Sequence, residues 1–359
     1  MTDVGQGTPR ARGWAGLLLA LAAFLLVPAI PVAGALLPVT NGYLLLLPAF
    51  AACTLLGWWA GGRGSLAVLW VLLATLALLQ GRGQWGAYGT LLRAWAIILA
   101  GAFGVLALVD ARRPLFARAL SATGMALVAA LGITTALRSP PGVVGRVVAQ
   151  QLQSRNATTV AQLRSFASEQ PETWARFARG YPSESAPIEA VSDALGTVAR
   201  AGVLAFPALL ALQSLAALAL AWALYHRIAR TRIGPALGPL REFRFNDQLV
   251  WGLIVGLTVL LLPTVAPGRA VAFRMLRTFG INLIVFFLAL YALRGLGVIS
   301  SMLPRRMLGI LVAIGLLLSL VPTTTAIALP GLFSLVTAAG VLGLADTWFD
   351  WRRLARPLP

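Results

Sequence analysis

Apolar residues fall along this chain in long blocks rather than in the alternating or one-sided patterns of a soluble fold. Several blocks reach the ~20 residues that a helix needs to cross a bilayer. The pattern predicts about ten spans, at roughly 14–33, 41–60, 64–80, 91–110, 117–137, 201–225, 249–267, 278–302, 307–323 and 329–349. Pro322 and Pro330 bracket a short segment near the end, so eight or nine spans fit the same pattern. One polar interval, 138–200, is long. Its apolar positions take helical spacing, with Val160, Leu163 and Phe166 as one stripe and Ile188, Val191, Leu195 and Val198 as another. Pro171 with Glu172 suits a helix start, and Tyr181-Pro182-Ser183 suits a turn. The expected fold is therefore all-α, a polytopic transmembrane helical bundle of eight to ten spans. Helices in 1–137 come first, a small extracytoplasmic helical cap in 138–200 follows, and further helices fill 201–359.

Composition agrees. Hydrophobic residues make up 59% of the chain and charged residues 11%, against about 25% charged in soluble domains. All 29 basic residues are arginine, and the net charge is +18. In a soluble protein that charge would suggest nucleic acid. Here the arginines lie between apolar blocks, without the interleaved aromatics of a strand-binding surface, so no nucleic-acid partner is expected. With both termini cytoplasmic, sixteen arginines fall on inside segments and five on short outside ones, the bias of a protein of the bacterial cytoplasmic membrane. Arg10 and Arg12 before an apolar run, with Ala33-Gly34-Ala35 behind it, resemble a signal peptide, but further spans follow at once and the run reads as a retained first helix.

Little catalytic chemistry is on offer. The chain has one cysteine, Cys53, and one histidine, His226, and only Asp3 and Asp110 are acidic before residue 169. Neither a zinc site nor a Ser-His-Asp arrangement can be assembled from a single histidine, and no P-loop appears. The expectation is a non-enzymatic protein with no cofactor and no metal.

The polar residues worth weighing lie in the C-terminal half. The stretch "HRIARTRIGPALGPLREFRFNDQ", 226–248, is the most basic inside loop. Arg241 and Arg244 in its "REFRF" are candidates for contact with anionic lipid or a partner protein; the alternative is a basic topology anchor. Within the span that ends "LALYALRGLGVISSM", Tyr291, Arg294, Val298 and Ser301 recur at helical spacing, while Asn282 faces another neighbour. Gly295 and Gly297 permit close helix approach, and Gly340, Gly343, Asp346 and Asp350 follow one side of the last span. Arg294 lies ~16 Å before Arg305 along its helix, and Asp346 lies ~9 Å before Arg352. The difference is within reach of an arginine side chain. Arg294 either pairs with Asp346 or snorkels alone to the headgroups. Asn282, Tyr291, Arg294 and Asp346 form the candidate polar membrane site.

The stretches "FPALLALQSLAALALAWAL" (206–224), "REFRFNDQLVWGLI" (241–254), "INLIVFFLALYALRGLGVISSML" (281–303) and "LGLADTWFDWRR" (342–353) resemble the YybS-like family of bacterial membrane proteins. The likeness covers mainly 200–353. That family is distantly similar to the substrate-binding subunits of energy-coupling-factor vitamin transporters, which implies small-molecule binding by fold analogy. Those subunits are smaller and lack a cap of this size; the AxxxA spacing by which they dock falls here on Ala11 and Ala15. Two functions are therefore expected as alternatives. One is transporter-like binding or passage of a small molecule through the C-terminal helices. The other is a non-catalytic scaffold or partner subunit that recruits another membrane protein through the cap or the basic loop.

Overall fold

The computed structural model describes residues 14–29, 31–80, 86–138, 140, 142–183, 185–265, 270–302 and 325–349. Among them the chain is all-helical. The expected span 307–323 lies outside the described residues, as do Ala11, Asp350 and the arginines at both chain ends.

The first apolar block does not form one helix. Helix α1 (Trp14–Leu26) gives way to a 3-10 turn (Val27–Ala29) and a short α2 (Pro31–Leu36). Pro28 and Pro31 account for the break, because each lacks an amide proton and crowds the preceding turn. The next blocks become helices with small shifts at their ends: α3 (Tyr43–Trp59), α4 (Gly64–Leu79), α5 (Gly86–Val109) and α6 (Leu115–Ala136). The polar interval folds as α7 (Val143–Glu169), α8 (Pro171–Ala178) and α9 (Ala186–Leu204). Pro171 opens α8 with Glu172 in its first turn, where an acid complements the amino-terminal dipole. Val160 and Leu195 are buried against each other, with Ile188, Val191 and Val198 packed on them. Phe166, assigned to the same stripe by spacing, instead stands exposed.

Helix α10 (Phe206–Ile228) is the centre of the molecule. Ala217, Leu218, Ala221 and Trp222 are fully buried, and α1, α3, α6 and the later α12 all pack on it. Small residues alternate with large ones along α10, so neighbouring helices approach closely without leaving voids. After the basic loop come α11 (Val250–Val265), α12 (Ala270–Met302) and α13 (Thr325–Phe349).

The tightest crossing joins α12 to α13. A methyl group on Gly295 would overlap the carbonyl oxygen of Ala339, and one on Gly343 would overlap that of Tyr291. Glycine at both positions lets the two backbones touch, the packing mode expected where no water drives helices together.

Among the described residues, four helices are long and apolar enough to cross a membrane: Gly86–Val109, Leu115–Ala136, Phe206–Ile228 and Met275–Met302. Shorter apolar helices include Tyr43–Trp59 and Gly64–Leu79. Large apolar side chains on α4, α6 and α11, among them Leu76, Val128, Leu131 and Leu261, face outward. Monomeric soluble proteins rarely expose such continuous apolar surface.

Candidate functional site

Arg294 sits on α12 one residue before the glycine contact with α13. Only 3% of it is exposed. Its Nε donates to Asp346 Oδ2 at 3.1 Å, and one Nη donates to the Asp346 backbone carbonyl at 3.2 Å. The other Nη donates to Asp247 Oδ1 at 2.7 Å. Arg294 is thus paired on α13 rather than snorkelling. The two carboxylates differ sharply: the Asp346 side chain is fully enclosed, whereas that of Asp247 is 61% exposed. Buried charges persist when they are matched in this way.

The guanidinium also stands over the ring of Phe245, 5.6 Å from its centre, and Phe245 meets Tyr291 edge-on at 5.1 Å. Tyr291, Arg294 and Val298 share the buried face that their spacing predicts, but Ser301 falls outside it and bonds its own helix at the Val298 carbonyl. The hydroxyls of Tyr291 and Thr347 are both buried, and neither makes a well-formed hydrogen bond.

Asn282 does not belong to this site. It lies twelve residues earlier on α12, ~18 Å along the axis. Its Oδ1 accepts from the Ala208 amide at 2.9 Å, and its Nδ2 donates to the Leu204 and Thr278 carbonyls. Asn282 therefore satisfies the backbone at the break between α9 and α10, where Ala205 and Pro207 interrupt the helical ladder. The loop "REFRF" separates its aromatic residues from its arginines. Phe243 and Phe245 turn inward onto Phe116, with ring centres 5.3 and 5.9 Å away. Arg241 and Arg244 stay exposed, and Arg241 reaches Glu242 at 3.6 Å.

Two further polar clusters carry no periodic signal in the sequence. Gln213, buried on α10, clasps the backbone of Val39: it accepts from the amide at 2.9 Å and donates to the carbonyl at 2.8 Å. Arg155, reaching from α7, stands over the Tyr88 ring and donates to the Leu37 carbonyl at 3.2 Å, while the Tyr88 hydroxyl donates to Pro38. Burial lowers the Arg155 pKa from its ordinary value, and Tyr88 opposes that shift. These side chains satisfy the non-helical backbone after α2 and fasten the cap to the bundle. At the opposite end Arg118, 1% exposed, stacks on Trp222 and donates to the Ala111 and Arg113 carbonyls at 2.7 and 2.8 Å. Gly234, with φ +68°, closes over them. His226 is buried against Trp222 and Tyr225.

Among the described residues no three His, Cys, Asp or Glu side chains converge. Cavities of about 280 and 150 Å³ lie elsewhere, and neither borders Arg294.

Fold and site together define, among the described residues, an all-helical chain with four membrane-capable helices and a buried ion-pair network at a glycine-lined crossing. Compared with protein-family models, curated proteins and solved structures, the chain gives no match.

Proposed function

We propose that this chain is a non-catalytic, multi-pass protein of the bacterial cytoplasmic membrane, transporter-like, whose C-terminal helices bind or pass a small anion. The likeness of 200–353 to the YybS-like family is part of this reading. The observation that carries it is the unequal pair of carboxylates on Arg294. An enclosed counter-charge such as Asp346 already answers the cost of a buried arginine. Asp247 adds a second contact from an exposed loop, and exposed ion pairs are worth only ~0–1 kcal/mol. Arg294 can therefore exchange Asp247 for a carboxylate or phosphate of a substrate without stranding Asp346.

Mass spectrometry of small molecules released from purified protein tests the reading. An anionic metabolite is expected, and Asp247→Asn is expected to bind it at least as tightly as wild type while Arg294→Met loses it. A stoichiometric protein partner with no bound metabolite would instead establish the scaffold alternative. That alternative draws on the exposed basic loop and the cap as surfaces for a partner.

Arginine asymmetry places both termini and the loop 226–248 in the cytoplasm and 138–200 outside. Reporter fusions at residue 170 and at the C-terminus should then report opposite compartments. The same compartment for both would overturn this topology.

A further inference from the structure

The cavity of about 280 Å³ lies between the turn that joins α3 to α4 and the end of α10. Its lining mixes apolar and polar residues, Leu66 and Leu69 of α4 with Arg63, Arg230, Ser65, Thr54 and Thr231. Both arginines are exposed, and among the described residues neither is in a salt bridge. No carboxylate lines the cavity, and the sequence carries none from residue 4 to 109. Two unpaired cations with no acid nearby hold a positive potential that favours an anion.

The surroundings say which kind of anion. Trp58, in the cavity wall, is 53% exposed, and Trp59 beside it is 82% exposed. Tryptophans at a helix end mark the depth of lipid headgroups. From the cavity an exposed stripe of Leu69, Leu72 and Leu76 runs along α4 for ~10 Å at helical spacing. A soluble phosphate would use the arginines and leave the stripe bare; a lipid would use both.

We propose that this cavity is a binding site for an anionic phospholipid, with the phosphate between Arg63 and Arg230 and an acyl chain along the α4 leucines. The inference rests on the membrane reading above. It is separate from Arg241 and Arg244, which lie on another part of the basic loop.

The test places the full chain in phosphatidylcholine bilayers containing a minor fraction of phosphatidylglycerol, and counts lipids retained after mild extraction by native mass spectrometry. Wild type should retain phosphatidylglycerol in preference. Arg63→Gln and Arg230→Gln should each weaken that retention about five-fold, leaving phosphatidylcholine unchanged. Ser65→Trp keeps both charges but fills the cavity, and should displace the lipid as well. The pair Arg164→Gln and Arg179→Gln on the cap removes equal charge and should change nothing. Equal loss in that control pair, or unchanged retention in both the arginine and Ser65→Trp variants, overturns the proposal. So does full competition by inorganic phosphate, which would make this a soluble-anion site. The membrane reading fails differently: wild type would then appear in the soluble fraction of detergent-free lysates. Wild type that sediments with membranes but shows no preference for phosphatidylglycerol sinks the lipid site alone.

Discussion

Arg294→Met lowers the melting temperature of the detergent-solubilised protein by the equivalent of ~3–5 kcal/mol, and Asp346→Asn does much the same. The figure is that for removing one partner of a buried pair in soluble proteins, where the remaining charge is left uncompensated. Asp346 is the more exposed to this effect, because its side chain is fully enclosed and Arg294 bonds both its carboxylate and its backbone carbonyl. The double variant leaves no charge stranded and recovers part of the loss, so the two effects do not add. Asp247→Asn costs under ~1 kcal/mol, as suits a side chain 61% exposed to solvent. Melting temperatures of the three single variants and the Arg294/Asp346 double variant decide the matter. Strict additivity in that cycle would show that the pair contributes nothing as a pair.

Alanine at Gly343 or Gly295 is the second large effect. The atom that the new methyl would meet is a backbone carbonyl of the facing helix, so no side-chain rotation relieves the overlap. The helices must separate, which lengthens the Arg294–Asp346 bonds as well. Overpacking of this kind costs ~1–3 kcal/mol and at times more. Gly101→Ala and Gly104→Ala on α5 are the contrast. Nothing lies within 4 Å of a Cβ at either position. There the change removes a flexible residue from a helix interior, worth ~0.5–1 kcal/mol in favour of the fold. Yield of monodisperse protein and its melting temperature compare the two pairs. If Gly343→Ala matches Gly101→Ala, the crossing is looser than described.

The ion pair was legible as one of two alternatives, because both partners lie on helices whose rise per residue is fixed and depth could be counted from the flanking arginines; depth alone did not separate pairing from snorkelling. The glycine face on α13 was legible for the same reason. The cap helices announced themselves through the stripes that bury Val160 and Leu195. Asp247 escaped because it reaches Arg294 from a single 3-10 turn (Asp247–Leu249), too short for a period to fix direction. Asn282 was misplaced because a polar residue in an apolar span reads alike whether it faces a ligand or mends a helix break; its partners at Leu204 and Ala208 are 78 and 74 residues away. The burial of Arg118 was hidden by its neighbours, since "ARRPLFAR" looks like an ordinary positive flank. Hydropathy also overstated the first helix, because two prolines carry little weight in an apolar average yet end the hydrogen-bond ladder.

The order of the three charges along the chain has a consequence during synthesis. Asp247 leaves the ribosome 47 residues ahead of Arg294, and Asp346 follows it by 52. At ~5–20 residues per second, ~3–10 s pass between the making of the arginine and the making of its enclosed partner. Throughout that interval the loop carboxylate is the one counter-ion of the pair already made. The exposed aspartate is thus available to Arg294 before the last helix is made, and in the folded chain both carboxylates hold it.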